Sequence, residues 1–289
     1  MTRDSHAARS SDEVHCSRLF RAGPQAFRIE ADDPLVLEAI ESDLRDLALL
    51  LVEPGVGGAT ALQVARRDPP SGTHPWRVSR DGEICEEVTE AYLRPYVLWE
   101  VTRLLLESGE AATPIHAAAV ALDGRAVILA GQSYAGKSTL AGWLTAHGWG
   151  FLTDEVSRVS RSGDAWEVQA FPRPIGVRRP TPLEPFLDSS VGSEIETLVP
   201  ASSLGELSGP AHVAAIVLPD RSPGVPARLE DVHPATAVRL LADHLPLRVG
   251  RGREGFREVV ALCASVPVYS LGTADLSLAE RVLRTVVSS

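Results

Sequence analysis

Two short runs of this sequence hold residue types that could do chemistry together. The first is Gly131-Gln132-Ser133-Tyr134-Ala135-Gly136-Lys137-Ser138, a full match to G-x-x-x-x-G-K-[ST], followed by Thr139. The apolar run Val127–Ala130 precedes it and a helical pattern follows it, which is the context in which such a loop cradles phosphates. Glycines let the backbone curl so that successive N–H groups converge, and the helix N-terminus adds partial positive charge. Lys137 is expected to bridge the β- and γ-phosphates of a nucleoside triphosphate, and the Ser138 hydroxyl to reach its Mg2+. ATP and Mg2+ are therefore the expected ligands, with residues 131–139 as the cradle. No base-reading motif separates ATP from GTP. The plainer reading is an ordinary glycine turn ahead of a helix.

The second run is Asp154-Glu155, which begins 17 residues after Lys137. One carboxylate can hold Mg2+ while the other takes the proton of an attacking hydroxyl. A solvated acidic turn or a helix cap is the competing reading, although Val156–Ser160 alternates like a strand. A rival metal carboxylate is Asp220, at the end of the apolar run Ala214–Pro219. His116, in a strand pattern beside the one that feeds the loop, could hydrogen-bond the acid pair or serve only in the core. Arg173, Arg178 and Arg179 follow Phe171-Pro172; one of them could clamp a γ-phosphate, or all could be surface residues.

One feature of composition bears on the loop. Lys137 is the only lysine, against 27 arginines, and asparagine is absent. Both missing residues use AT-rich codons, so a GC-rich coding sequence explains the bias. Arginine replaces lysine on most solvated surfaces, but not easily where a compact ammonium must reach between phosphates. The lack of asparagine also excludes a eukaryotic-type protein kinase, whose catalytic loop needs one for Mg2+.

These runs need elements to position them. Residues 1–22 are polar and aperiodic and read as a flexible arm. Residues 23–109 read as a small α+β module: a strand at Gln25–Glu30, a helix over Pro34–Leu51 capped by Asp32 or Asp33, and a strand at Ala61–Arg66. A hairpin of Trp76–Ser79 and Glu83–Val88 turns at Asp81-Gly82, and a helix spans Glu90–Ser108. Residues 110–289 carry the chemistry. Strands Ile115–Leu122 and Arg125–Ala130 join at Asp123-Gly124. A helix Ser138–His147 follows, stopped by Gly148, then strands Trp149–Thr153 and Ala165–Ala170. A proline-laden loop runs from Phe171 to Pro210. Strand Val213–Leu218, helix Pro234–Leu245, strand Val266–Leu271 and helix Leu276–Val287 complete the reading. That order argues an α/β fold with a mixed sheet.

The net charge of −10 is spread along the chain. It offers no basic face to nucleic acid and repels anionic membranes. No apolar run approaches the length of a membrane helix, and the N-terminal residues lack a signal core. Cys16, Cys85 and Cys263 are too few and too scattered for a disulfide framework. A soluble, cytoplasmic protein is expected.

Taken together, Ile115-His116-Ala117, the run Val127–Ser138 and Gly148–Glu155 resemble the catalytic domain of HPr kinase/phosphorylase. They look closer still to the HPr-kinase-related proteins of peptide natural-product clusters, including lasso-peptide kinases. The segment Val266–Leu271 shares the likeness, which covers roughly residues 110–289. The resemblance implies a P-loop kinase domain of the HPr kinase/phosphoenolpyruvate carboxykinase type, with the α+β module attached. It implies an acceptor serine on a peptide or protein, Asp154 as general base, Glu155 assisting with Mg2+ and His116 supporting the pair. It also leaves room for a homo-oligomer. A bifunctional HPr kinase/phosphorylase, a nucleotide-gated binding module and an NTPase without acceptor remain the alternative functions.

Overall fold

The computed structural model describes residues 16–22, 25–47, 50–51, 59–67, 73–107, 112–187, 197–242 and 252–288. The chain divides into two compact units, residues 1–41 with 49–97 and residues 42–48 with 98–289. The strands of the first unit are β1 (Cys16–Ala22), β2 (Gln25–Ala31), β3 (Leu50–Leu51), β4 (Thr60–Arg66), β5 (Trp76–Arg80) and β6 (Glu83–Val88). They form one sheet in the order β3-β1-β2-β4-β5-β6, antiparallel except for the parallel pair β2/β4. Helix α1 (Pro34–Leu44) connects β2 toward β3, and α2 (Glu90–Glu107) follows β6.

Three boundaries differ from the sequence reading. The expected arm over 1–22 is a strand from Cys16, because its alternating residues pair in full register with β2; residues 1–15 lie outside the described residues. The expected helix to Leu51 ends at Leu44, since Leu50–Leu51 is drawn into pairing with β1. Its start is as read: the Asp33 carboxylate accepts from the Leu35 N–H at 2.9 Å, an N-terminal capping bond.

The second unit is α/β with a mixed sheet. Its strands are β7 (Thr113–Ile115), β8 (Ala117–Leu122), β9 (Arg125–Ala130), β10 (Gly150–Thr153), β11 (Ser157–Ser162), β12 (Ala165–Gln169), β13 (Ile175–Val177), β14 (Thr197–Val199), β15 (Ala211–Asp220), β16 (Leu229–Asp231) and β17 (Val268–Gly272). Its helices are α3 (Lys137–Ala146), α4 (Pro234–Ala242), α5 (Arg253–Ser265) and α6 (Leu276–Val287). The sheet runs β10-β8-β9-β15-β12-β11-β7. Strand β15 pairs in parallel with β9, and its C-terminal half also pairs in parallel with β17.

Strand alternation divides the core. Ala118, Val120, Val127 and Leu129 point to a cluster with Leu140 and Leu144 of α3 and Leu283 of α6. Ala117, Ala119, Ile128 and Ala130 point to the other face, against Leu241 of α4 and Val259 and Leu262 of α5. Both faces are covered, so β8 and β9 read as continuous apolar runs rather than alternating ones. Among the described residues no helix is long and apolar enough to cross a membrane, and Cys16, Cys85 and Cys263 are free thiols.

Candidate functional site

Topology brings the two chemical runs together. Strand β9 leads into the glycine loop, α3 carries the chain back over β8, and β10 enters on the far side of β8. Ala130, the last residue of β9, is opposite Ala117, and Thr153, the last of β10, is opposite Ala119. Loop 131–136 and the pair Asp154-Glu155 therefore leave the sheet at the same edge. His116 precedes Ala117 on the strand between them. It interrupts the expected strand Ile115–Leu122: Thr113–Ile115 pairs with β11, whereas Ala117–Leu122 pairs with β9 and β10. The Ser157 hydroxyl donates to the Ala117 carbonyl at 3.1 Å and fixes this split.

The loop turns on glycine. Gly136, with φ 96°, caps α3 in a left-handed conformation that glycine adopts without penalty. The Lys137 ammonium donates to the carbonyls of Gly131 at 3.0 Å and Gln132 at 3.2 Å. Burial pulls its pKa down, and the negative charges of Glu155 and Asp154 oppose that pull. The first N–H groups of α3 have no intrahelical partner, as at any helix start, and are available to an anion.

Asp154 is buried, and its carboxylate accepts a hydrogen bond from the Ser138 hydroxyl at 3.0 Å. Its pKa rises from 3.8 to about 6, first because burial penalises the charge and then because Glu155 repels it; Ser138 and Arg173 act the other way and are outweighed. Glu155 sits at φ 72°, and the Val156 N–H donates to the Asp154 carbonyl at 2.9 Å. That i→i+2 bond at positive φ is the strained kind of γ-turn. The Thr153 hydroxyl donates to the Val156 carbonyl at 2.8 Å and braces it. Asp154 is thus neither a helix cap nor freely solvated, whereas Glu155 is exposed on the turn.

His116 Nδ1 lies 3.6 Å from a Glu155 carboxylate oxygen. Burial lowers the imidazole pKa more than Glu155 raises it, so the ring is neutral at pH 7. Arg173 is buried, and its Nε has no hydrogen-bond partner among the described residues. A bridge between Thr153 and Phe171 carries Arg173 toward the acid pair. Burial lowers its pKa, while the charges of Glu155 and Asp154 hold it cationic.

A cavity of about 770 Å³ opens over these groups. His116, Lys137, Ser138, Asp154 and Glu155 line it together, and Ser133, Tyr134, Gly136 and Thr139 supply the loop wall. Gly131, Gln132 and Ala135 do not line it; the first two serve through their carbonyls to Lys137. Of the three arginines read as clamps, Arg178 lines the cavity, with its guanidinium 4.9 Å from the centre of the Tyr134 ring. Arg179 instead lies 3.5 Å from Glu184. Asp220, the rival carboxylate, is not a lining residue: it is exposed and accepts from the Ser222 N–H at 2.8 Å. Sequence reasoning missed Trp143, Arg221 and the stretch Thr273–Ser277, all of which line the cavity. Trp143 could have been found, since it lies one helical turn beyond Thr139 on the same face; the other two come from distant strands and have no local signature.

The oxygen donors suit Mg2+, which takes one or two carboxylates plus substrate phosphates and water rather than a closed protein cage. Among the described residues no group of three or more His, Cys, Asp and Glu is placed to hold a metal by itself. Ser138, Asp154 and Glu155 are among the oxygen donors lining the cavity that could hold such a metal.

No family model and no curated protein matches the chain. Among solved structures 42 chains match. One is the Hpr(Ser) kinase/phosphatase from Coxiella burnetii, with 13% sequence identity and a TM-score of 0.33, over 60% of this chain and 94% of that one.

Proposed function

We propose that this chain is an ATP- and Mg2+-dependent phosphotransferase that moves the γ-phosphate to a serine hydroxyl of a peptide or protein. One observation carries the reading. The Ser138 hydroxyl, expected at a nucleotide's metal, is hydrogen-bonded to a buried carboxylate whose pKa is raised to about 6, at the base of a cavity that also holds the only lysine. A mere glycine turn has no need of a buried, proton-accepting partner.

The residues divide the work as follows. The loop backbone and the start of α3 receive the phosphate chain. The Lys137 ammonium, held by two loop carbonyls, places its charge on the β- and γ-phosphates. Mg2+, when bound with ATP, supplies further charge neutralisation and would be held by Ser138 with Glu155, leaving Asp154 to take the proton. The serine oxygen forms a bond to the γ-phosphorus, the bond from that phosphorus to the β–γ bridging oxygen breaks, and ADP leaves. The serine proton passes to Asp154. A base with a pKa near 6 is mostly ionised at pH 7, yet holds a proton better than an ordinary aspartate. Neutral His116 steadies Glu155, and Arg173 offsets the charge of the pair. Positioning and electrostatics supply most of the rate in such transfers.

The single lysine makes the first step directly measurable. Mg-ATP should protect Lys137 from an amine-acylating reagent, read by peptide mass spectrometry against the chain's α-amine as internal control. Transfer is then tested with γ-labelled ATP, a serine-peptide library and HPr. Labelled peptide supports the reading, and label on HPr alone assigns the regulatory form of the same chemistry. Protection of Lys137 with release of free phosphate and no labelled acceptor would make the protein an NTPase. No protection at all removes the nucleotide site.

A further inference from the structure

The apolar strand β15 ends in Asp220, the rival to the acid pair as a metal carboxylate. The structure turns that end around. Asp220 accepts from the Ser222 N–H at 2.8 Å, an Asx-type turn, and the Asp220 carbonyl accepts from the Thr273 N–H at 2.7 Å. The turn that follows is packed onto Gly272, where an added Cβ would run into the carbonyl oxygens of Pro226 and Val225. Between these fixed points stands Arg221. It lines the cavity, and its Cδ would lie 3.9 Å from a Cβ placed on Gly136, the cap of α3. No acidic side chain pairs with it among the described residues, whereas Arg179, Arg228 and Arg284 each have a carboxylate within 4 Å.

We propose that Arg221 is a phosphate-binding residue of the cavity, the partner of Lys137 in holding a polyphosphate chain over the loop. The proposal rests on the nucleotide reading above and adds a group to it. A guanidinium is always charged and presents a planar fork of donors to phosphate oxygens. Placed over a helix cap and left without a carboxylate, it adds a second positive group beside the same anion site. The turn hydrogen bonds and the packing on Gly272 hold its backbone in place before any ligand arrives, which lowers the ordering cost of binding. In this arrangement Asp220 shapes the turn and touches neither metal nor nucleotide.

The test is calorimetric binding of Mg-ATP, Mg-ADP and adenosine to the full chain and to Arg221→Ala and Arg221→Lys. Arg221 is exposed, so both variants should melt like the parent. Arg221→Ala should weaken Mg-ATP about tenfold to a hundredfold, the usual worth of a charged hydrogen bond, weaken Mg-ADP less, and leave adenosine unchanged. Arg221→Lys should recover part of the loss, because an ammonium supplies charge without the fork. Equal Mg-ATP affinity in parent and Arg221→Ala overturns the proposal, as does an equal loss for adenosine. If the parent itself binds no Mg-ATP, the nucleotide reading fails first, so the two failures are distinguishable. Asp220→Ala serves as control: a changed Mg2+ requirement would restore the metal reading of Asp220 and overturn this one.

Discussion

Asp154→Asn should sharply slow phosphoryl transfer and at the same time stabilise the fold. Asp154 is fully buried, and its pKa of about 6 stands above its ordinary 3.8. The shift is a net one, since the attractions of Ser138 and Arg173 are already counted against burial and Glu155. A rise of roughly two units means that ionised Asp154 costs the native state about 3 kcal/mol well above pH 6. Asparagine keeps the shape and an oxygen for Ser138 but carries no charge. At about pH 8 the variant should therefore gain on the order of 1–3 kcal/mol, or about 2–4 °C in melting temperature per kcal/mol for domains of 150–250 residues. The sign with pH follows from proton binding. A carboxylate with a raised native pKa binds its proton more tightly in the native than in the unfolded chain, so parent stability rises as pH falls from about 6 toward 4. The asparagine variant lacks this term, so its advantage is full above about pH 7 and closes on acidification. Denaturant unfolding of both proteins at about pH 8 and about pH 5, beside a transfer assay, measures it. General-base loss should cost about 10²–10⁴ in turnover. A variant less stable at pH 8, or an advantage that does not change with pH, would refute the claim that ionised Asp154 is held at a cost.

Three further outcomes follow from the same geometry. Turnover should rise as pH climbs through about 6 and then level, because Asp154 must be ionised to accept a proton; initial rates from about pH 5 to 8 test this, and a flat profile contradicts it. Glu155→Gly should relieve the positive φ at this residue, a strain of about 1 kcal/mol or more, and should remove a charge that raises the Asp154 pKa. Denaturation should then show greater stability, and the acid limb of the rate profile should move to lower pH. Gly272→Ala should force the 222–226 turn away from β17, because its Cβ would meet two backbone oxygens. Overpacking of this kind costs about 1–3 kcal/mol, and Mg-ATP affinity should fall with it if the turn positions Arg221.

Local pattern made much of this architecture legible. The Asp123-Gly124 turn is one case: Asp123 at φ 50° and Gly124 at φ 76° adopt the paired left-handed geometry that the dipeptide favours between strands. Helix α6 is another, since Leu276–Val287 was read at its observed bounds. Helix α5 was not seen. Its buried positions are Gly255, Val259, Leu262 and Cys263, so two of the four core-facing residues are too small or too ambiguous to mark an apolar stripe. The break at His116 was also invisible. It arises because β7 and β8 choose different partner strands, a long-range choice that no local propensity encodes.

The Asp220-Arg221 dipeptide shows where the limit falls. An apolar strand ending in a carboxylate is a fair pattern for a metal ligand, and β15 does run parallel beside β9. What decides which side chain faces the cavity is the turn beyond the strand. That turn is set by Ser222 next in sequence and by Gly272 and Thr273 from a strand some fifty residues on. With the Asp220 side chain and main-chain oxygens both engaged there, the next residue is the one presented to the loop. The P-loop pattern is contiguous, so its chemistry is legible from eight residues. The cation proposed to complete it is placed by tertiary packing alone, and becomes visible only when β17 is laid against β15.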